Sequence, residues 1–133
     1  MILLDTCVMI FDALTPERLS KRAASELNKG RLAGNLACSD ISLWEIAMLI
    51  SKGRVKPAMP TLNFLSDLIA ANRLSVLPIT PEIACLACNH AELLLSHGDP
   101  ADRIVAATAL HHKASLLTSD VILLGLKGLK ATW

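Results

Sequence analysis

The N-terminal stretch Met1-Ile2-Leu3-Leu4-Asp5-Thr6-Cys7-Val8 decides the fold class. A short apolar run that ends in Asp-Thr predicts a buried strand that carries a carboxylate to its C-terminal end. In open α/β sheets, ligands bind in the crevice outside the carboxyl ends of the strands. Asp5 is therefore the first candidate for chemistry, although an Asp after a strand also serves simply to cap a turn or the next helix.

The composition is that of one folded domain. The 133 residues are 53% hydrophobic and 19% charged, with a net charge of +1, which excludes a disordered chain and a strongly basic nucleic-acid binder. Mean hydropathy is +0.48, but charged residues, Pro or Gly interrupt each apolar run before the roughly 18 residues that a membrane span needs. No basic region precedes the first apolar run, so no signal peptide is expected. We expect a single domain over residues 1–133 that is soluble and cytoplasmic, with no membrane partner.

Apolar runs separated by helical patterns predict an α/β fold with a parallel sheet of about four or five short strands. Strands are expected at the N-terminus, Leu36–Cys38, Leu74–Ile79, Leu116–Leu117 and Leu129–Trp133. Helices are expected from Thr15–Glu17 to about Asn28–Gly30, from within Ser39–Glu45 to Lys52–Gly53, over Thr61–Ala71, over Pro81–Leu95 as one helix or two, and over Ala101–Lys113.

A second carboxylate, Glu45, lies on the apolar face of a predicted helix. Its neighbours three and four residues away are Ile41, Met48 and Leu49, and a carboxylate in such surroundings needs a metal ion, a cationic partner or a solvent-filled cleft. Ser42 stands three residues before Glu45, the spacing of a capping box, in which Glu45 would only bind the backbone. Both interpretations of Glu45 are open at this point.

Two more carboxylates, Asp102 and Asp120, complete the set. Pro100 begins a helix, Asp99 is its expected N-cap, and Asp102 lies in its first turn above small apolar residues. Asp120 follows an apolar strand and a hydroxyl residue, as Asp5 follows its strand, so parallel pairing would bring both to one edge of the sheet. Four clustered acids repel one another, and a divalent cation resolves that conflict.

The donor set selects the ion and the chemistry. Carboxylate oxygens without His or Cys favour Mg²⁺ or Mn²⁺ over Zn²⁺. Such a site supports in-line displacement at phosphorus, because the metal activates water and stabilises the attacking and leaving oxygens. We therefore expect phosphodiester hydrolysis, with Thr6, Thr118 and Ser119 as hydrogen-bonding partners that orient the carboxylates.

Taken in order, these motifs resemble those of a known family. Asp5-Thr6, Ser42–Ala47, Asp99–Ala107 and Thr118–Asp120 are similar to the motifs of PIN-domain ribonucleases, and more closely to those of the VapC-type toxins of bacterial toxin–antitoxin pairs. The resemblance spans the whole chain. It implies a three-layer PIN-like fold, a Mg²⁺- or Mn²⁺-dependent endoribonuclease, a homodimer, and a cognate antitoxin as partner.

The resemblance also implies a ligand set, taken by motif position. The metal ligands and catalytic residues would be Asp5, Glu45, Asp102 and Asp120. Thr6 and Asp99 would lie nearby, and whether Asp99 is also a ligand is open. A segment of the antitoxin would occupy an apolar and basic groove beside the active site, lined by the helices over Trp44–Ile50 and Leu62–Ile69 unless these form the dimer interface.

Contacts with RNA are expected from basic rather than aromatic side chains. Aromatic residues make up 3% of the chain and Tyr is absent, which gives little base stacking. Lys52, Arg54 and Lys56 follow the Glu45 helix and, with Arg103, are the expected partners of the RNA backbone. Basic residues at a helix end also complement its dipole without binding anything.

The Cys and His residues are given no part in the chemistry. Cys85 and Cys88 lack a second pair at zinc spacing, and their neighbours predict packing in the core. The four histidines lie outside the acidic motifs, and His111-His112 suits dipole compensation at a helix end.

Two other functions fit part of the pattern. A phosphohydrolase of the haloacid dehalogenase type would use Asp5 as a covalent nucleophile, but its chemistry needs a second Asp two residues later, where this chain has Cys7. A catalytically silent binding protein could keep the fold to engage a partner, but it has no reason to hold four carboxylates over apolar faces.

Overall fold

The computed structural model describes residues 1–89 and 98–133. Its five strands are β1 (Ile2–Leu4), β2 (Leu36–Ser39), β3 (Ser75–Leu77), β4 (Ser115–Leu117) and β5 (Ala131–Thr132). They pair in parallel, in the order β3-β2-β1-β4-β5. The predicted parallel α/β sheet is therefore confirmed.

Helices follow the strands along the chain and pack against the sheet. The described α-helices are α1 (Thr6–Leu14), α2 (Lys21–Ala33), α3 (Asp40–Ser51), α4 (Thr61–Asn72), α5 (Pro81–Asn89), α6 (Pro100–His111) and α7 (Val121–Leu124). A 3₁₀ helix over Pro16–Arg18 joins α1 to α2. Within the described ranges, no helix combines the length and apolar character that a bilayer span requires.

The strand order reverses at β1. From β1 the chain runs outward through β2 and β3, then returns to β4 on the other side of β1. Such a reversal leaves a crevice at the carboxyl ends of the two central strands. Leu4 is paired with Cys38 and with Leu117, so Asp5 and Thr118 leave the sheet at the same level, next to each other.

Successive residues of β1 enter two separate cores. Leu3 shares a core with Ile83 and Val105, whereas Leu4 shares the other core with Val8 and Phe64. Both leucines are fully buried. A strand covered on both faces is apolar throughout, which explains why the N-terminal run does not alternate.

The helix predicted to start at Thr15–Glu17 consists of separate elements. The apolar segment before it already forms α1, and Pro16–Arg18 makes only one 3₁₀ turn. α2 begins after Ser20, whose Oγ accepts a hydrogen bond from the Ala23 N–H at 3.0 Å. The start of α2 is therefore set by the side-chain N-cap of Ser20 and not by Pro16.

Cys85 and Cys88 are both exposed on α5, so the prediction that they pack in the core is wrong. The buried face of α5 is formed instead by Ile83 and Ala87, and the two cysteines lie on other faces of the helix. The end of the helix predicted to reach Leu95 lies outside the described residues.

A polar network joins α1, α2 and α4 behind the crevice. One Arg31 nitrogen donates to both carboxylate oxygens of Asp12, at 3.0 and 2.9 Å. Arg31 also donates to Asn72 Oδ1 at 2.6 and 2.9 Å, and Asn72 Nδ2 donates to Asp12 Oδ2 at 3.1 Å. The three side chains therefore satisfy one another in a closed ring, and they fix the C-terminal half of α1.

We expect Asn72→Ala to lower the free energy of unfolding by about 2 kcal/mol, because it leaves partly buried donors and acceptors of Arg31 and Asp12 unpaired. Urea unfolding followed by circular dichroism measures the change. The control is Asn28→Ala, which removes an exposed contact to Arg31 and should cost less than about 0.5 kcal/mol. Equal losses in the two variants would contradict a cooperative ring.

Candidate active site

Asp5 lies at the junction of β1 and α1 and performs two tasks. Its Oδ1 accepts a hydrogen bond from the Thr6 N–H at 2.7 Å, which makes it the N-cap of α1. Its Oδ2 accepts from Thr118 Oγ1 at 2.5 Å and from Cys7 Sγ at 3.3 Å. Only 4% of the residue is exposed. Asp5 therefore caps the helix and also lies in the crevice. The sequence alone did not decide between these two roles.

Thr118 and Asp120 extend the same edge beyond β4. Thr118 Oγ1 donates to Asp5 and also accepts from the Asp120 N–H at 3.0 Å. Asp120 Oδ1 accepts from the Ile122 and Leu123 N–H groups, at 2.7 and 3.0 Å, and caps α7. One buried hydroxyl thus couples the two strand ends that carry Asp5 and Asp120.

Glu45 reaches the crevice from α3. Thr6 Oγ1 donates to Glu45 Oε2 at 2.6 Å. The capping box with Ser42 is wrong, because α3 already begins at Asp40 and Ser42 lies inside the helix. Its Oγ is buried and has no hydrogen-bond partner among the described residues. Of the two interpretations of Glu45, the structure supports the cleft.

α6 brings two carboxylates to opposite sides of Glu45. Asp99 caps the helix as predicted, its Oδ1 accepting from the Ala101 N–H at 2.8 Å. Asp102, in the first turn, lines the cavity that contains Asp5. Asp99 lines a second cavity instead, and Glu45 belongs to the lining of both.

The first cavity, which we call the acidic cavity, has a volume of about 930 Å³. All four carboxylates predicted to bind metal line it: Asp5, Glu45, Asp102 and Asp120. Thr6 and Ser119 also line it, and Ser119 Oγ lies 3.3 Å from Cys7 Sγ. The remaining lining is apolar, apart from Thr15 and three basic residues. The sequence therefore predicted the carboxylates that line this cavity but not the apolar residues that line it with them.

Three of the four predicted basic residues line a cavity. Lys56 lines the acidic cavity, Lys52 lines the second cavity, which has a volume of about 670 Å³, and Arg54 lines both. All three side chains are exposed. Arg103 lines neither cavity and its Nε is buried, so its position gives no support for a contact with RNA.

Burial and like charge act together on the acidic side chains. Burial raises the pKa of Asp5, and the charge of Asp120 adds to this effect. Burial also raises the pKa of Glu45, with further contributions from the charges of Asp5 and Asp99. A cation bound among these groups would remove both penalties, because it favours their charged forms.

The residues fit a hard divalent ion. Within residues 1–89 and 98–133, no three Asp, Glu, His or Cys side chains form a compact metal cluster. Mg²⁺, however, keeps several waters and is usually bound by one or two carboxylates. Within the described residues, Asp5 Oδ1 accepts one hydrogen bond, from the Thr6 N–H, and so keeps a lone pair. The carboxylates that line this cavity therefore fit such an ion.

Two cavity residues were missed by the sequence analysis. Cys7 donates to Asp5, and burial raises the pKa of its thiol to about 12, so that it stays protonated as a donor. Arg18 lines the acidic cavity from the 3₁₀ helix. The position of Cys7 two residues after Asp5 was a usable clue, whereas nothing in the local pattern marked Arg18. His111 and His112 lie at the end of α6 as predicted, and His90 and His97 fall outside the described residues.

The fold and this acidic edge define a known class. The PIN domain family model matches residues 2–127, so the chain belongs to the PIN domain family. It is 35% identical over 119 residues to Ribonuclease VapC22 of Mycobacterium tuberculosis, and the alignment covers 90% of this chain and 86% of that protein. The chain is therefore a homologue of the VapC ribonucleases.

Solved structures show the same fold. A chain of VapBC2 from Rickettsia felis, bound to a promoter DNA fragment, gives a TM-score of 0.72 at 19% identity, with 99% of this chain and 98% of that chain covered. DNA-bound VapBC from Salmonella typhimurium gives 0.72 at 22% identity, covering 98% and 96%. FitAcB from Neisseria gonorrhoeae gives 0.66 at 24% identity, covering 100% and 97%. The predicted PIN-like fold is therefore confirmed.

We expect Mg²⁺ or Mn²⁺ to raise the melting temperature by several degrees at pH 8 and by less than half as much at pH 5. The raised pKa values of Asp5 and Glu45 mean that the folded protein holds more protons than the unfolded chain just above their ordinary values. Stability without metal therefore falls as the pH rises through that window, whereas metal competes with those protons. Thermal scans with each metal or EDTA measure both effects.

The matched variants for this measurement are Glu45→Gln and Asp67→Asn. Glu45→Gln should reduce the metal-induced shift, because it removes a carboxylate from the cavity. Asp67→Asn changes an exposed acid on α4 and should behave as the wild type. A metal shift of equal size at both pH values, retained in Glu45→Gln, would rule out this cavity as the metal site.

Proposed function

We propose that this chain is a Mg²⁺- or Mn²⁺-dependent endoribonuclease that hydrolyses RNA phosphodiester bonds, and that it is the toxin of a toxin–antitoxin pair. The observation that carries the proposal is the meeting of four carboxylates, from four different elements, in one cavity at the carboxyl edge of the sheet. The homologous VapC22 is named a ribonuclease, and VapC ribonucleases of the PIN family generally depend on divalent metal. Membership of that family also removes the haloacid dehalogenase alternative.

The side chains have distinct tasks in this mechanism. Asp5, Glu45, Asp102 and Asp120 would hold the metal, which when bound activates water and stabilises charge at phosphorus. Thr6 holds Glu45 by its 2.6 Å hydrogen bond to Oε2, which would leave the other oxygen of Glu45 to bind water or the metal. Burial raises the pKa of Glu45, which makes this carboxylate a stronger base for accepting a proton from a water molecule in the cavity.

The remaining groups position the reacting parts. Thr118 and Cys7 both donate hydrogen bonds to Asp5 Oδ2, and these two contacts fix the orientation of the Asp5 side chain. Arg54 and Lys56 provide positive charge at the wall of an otherwise acidic cavity. This charge attracts the RNA backbone against the repulsion of the carboxylates.

Asp5→Asn should lower kcat for RNA cleavage by at least about 100-fold, because it removes a charge from the proposed metal site. The assay is cleavage of a small-RNA pool with Mg²⁺, Mn²⁺ or EDTA, with fragments mapped by sequencing. Asp67→Asn serves as the control for loss of one acidic charge. Far-ultraviolet circular dichroism should show both variants folded.

The outcomes of that assay separate the two remaining functions. Discrete fragments that require metal and disappear in Asp5→Asn support the nuclease. If pure, folded protein cleaves no RNA under any of these conditions, the chain is a silent binding protein of the PIN fold. Cleavage by Asp5→Asn at the wild-type rate would show that Asp5 takes no part in catalysis.

We further propose that the second cavity receives a segment of the cognate antitoxin. It is lined by Ile41, Trp44, Met48 and Ile104, with Lys52 and Arg54 at its side, and Trp44 is 59% exposed. An exposed Trp beside apolar side chains is a typical anchor of a protein interface. Glu45 lines this cavity too, so a segment lying there would reach the active site.

Trp44→Asp should weaken antitoxin binding by about 100-fold, because it places a charge in the apolar part of the cavity. The affinity is measured by titration calorimetry with the purified antitoxin. Leu32→Asp is the control, since Leu32 is 91% exposed on α2 and lines neither cavity. If both variants bind as the wild type does, the antitoxin binds elsewhere.

A homodimer in the cytoplasm completes the proposal. Leu62 is 76% exposed and Met59 is 41% exposed, and exposed apolar groups near α4 suit an interface between two copies. A cytoplasmic location follows from an RNA substrate. Sedimentation equilibrium of the isolated chain tests the oligomeric state, and a monomer at micromolar concentration would contradict it.

A further inference from the structure

Arg18 lines the acidic cavity and packs against the ring of Phe11, which in turn contacts Trp133. Its guanidinium carbon lies 3.9 Å from the centroid of the Phe11 ring. Phe11 is only 8% exposed, and the Trp133 ring meets it edge to face, with centroids 6.1 Å apart and an interplanar angle of 61°. The C-terminal residue after β5 thus supports the ring that supports Arg18, an arrangement we call the Arg18 stack.

The Arg18 stack belongs to the wall of the active site. Phe11 and Arg18 both line the cavity that contains the four carboxylates. Within the described residues, Arg18 forms no ion pair, although acidic side chains line the same cavity. Contact with a ring uses the face of the guanidinium and leaves the N–H donors at its edge available.

The charge distribution makes this cation significant. Arg18 is on the 3₁₀ helix after α1, whereas Arg54 and Lys56 follow α3. The acidic cavity therefore receives positive charge from two separate parts of the chain. A polyanion that enters a cavity lined by carboxylates needs such positive charge near its phosphates, because the carboxylates repel them.

We propose that Arg18 binds a phosphate of the RNA that flanks the cleaved bond. This inference rests on the proposed ribonuclease function. Arg binds phosphate through paired N–H donors, and the Phe11 ring restricts the side chain before substrate arrives, which reduces the entropy lost on binding. Two of the four aromatic residues of the chain take part in the stack: Phe11 contacts Arg18, and Trp133 contacts Phe11.

A purely structural role for the stack makes a different prediction. Arg18 ends the 3₁₀ helix, where a basic residue is favourable without any ligand. In that case its loss would change the melting temperature but not the Michaelis constant for RNA or its dependence on salt. Substrate binding and stability can therefore be separated experimentally.

The test compares Arg18→Gln with the wild type on a single-stranded RNA of about ten nucleotides that contains the mapped cleavage site. Arg18→Gln should raise KM about tenfold and change kcat less than twofold. The slope of log KM against log salt concentration should fall by about one, as expected for one lost phosphate contact. Arg22→Gln, an exposed Arg on α2 that does not line the cavity, should leave all three quantities unchanged.

Phe11→Leu separates the ring from the charge. It should raise KM about threefold by releasing Arg18, but it should keep the wild-type salt slope because the cation remains. Wild-type KM and salt slope in Arg18→Gln, whatever its melting temperature, would overturn the inference.

Failure of the inference is distinguishable from failure of the proposed function. If the wild type cleaves RNA and Arg18→Gln equals it, only the role of Arg18 is wrong. If the wild type cleaves nothing, the nuclease proposal fails, and fluorescence anisotropy with the same RNA in EDTA then tests Arg18. Equal RNA affinity of wild type and Arg18→Gln in that assay would overturn the inference there as well.

Discussion

The structure depends on one buried carboxylate, that of Asp5. It stands at the end of a strand that is covered on both faces, and three donors from Thr6, Cys7 and Thr118 hold it. These contacts join β1 to its own helix and to β4. A charge in such a place costs several kcal/mol unless it is paired or hydrogen-bonded. The three donors therefore offset part of that cost, which ties the stability of the fold to the hydrogen bonds of its site.

The parallel sheet and the position of the carboxylates at its edge could be predicted from the sequence, because each follows from a local pattern with one physical explanation. Apolar runs covered on both faces predicted the parallel sheet, and strands ending in Asp predicted that Asp5 and Asp120 would meet at its edge. These inferences need only local pattern and the geometry of parallel pairing. The identity and approximate place of the carboxylates that line the acidic cavity followed from them.

Features that depend on competing local signals, or on contacts between residues far apart in sequence, could not be predicted. Ser20 and Thr15-Pro16 both mark helix starts, and only the folded chain shows that Ser20 caps α2. Cys85 and Cys88 have apolar neighbours, but the phase of α5 exposes them. The Arg18 stack needs Trp133, which is 115 residues away in sequence, and no pattern within the first twenty residues predicts that contact.

The two cavities share Glu45 and Arg54, so neither cavity can be changed alone at these positions. A substitution at either residue alters the lining of both cavities at once. The other residues that line the second cavity, Trp44, Met48 and Ile104 among them, do not line the acidic cavity. The second cavity can therefore change its shape at those positions while the acidic cavity keeps its lining.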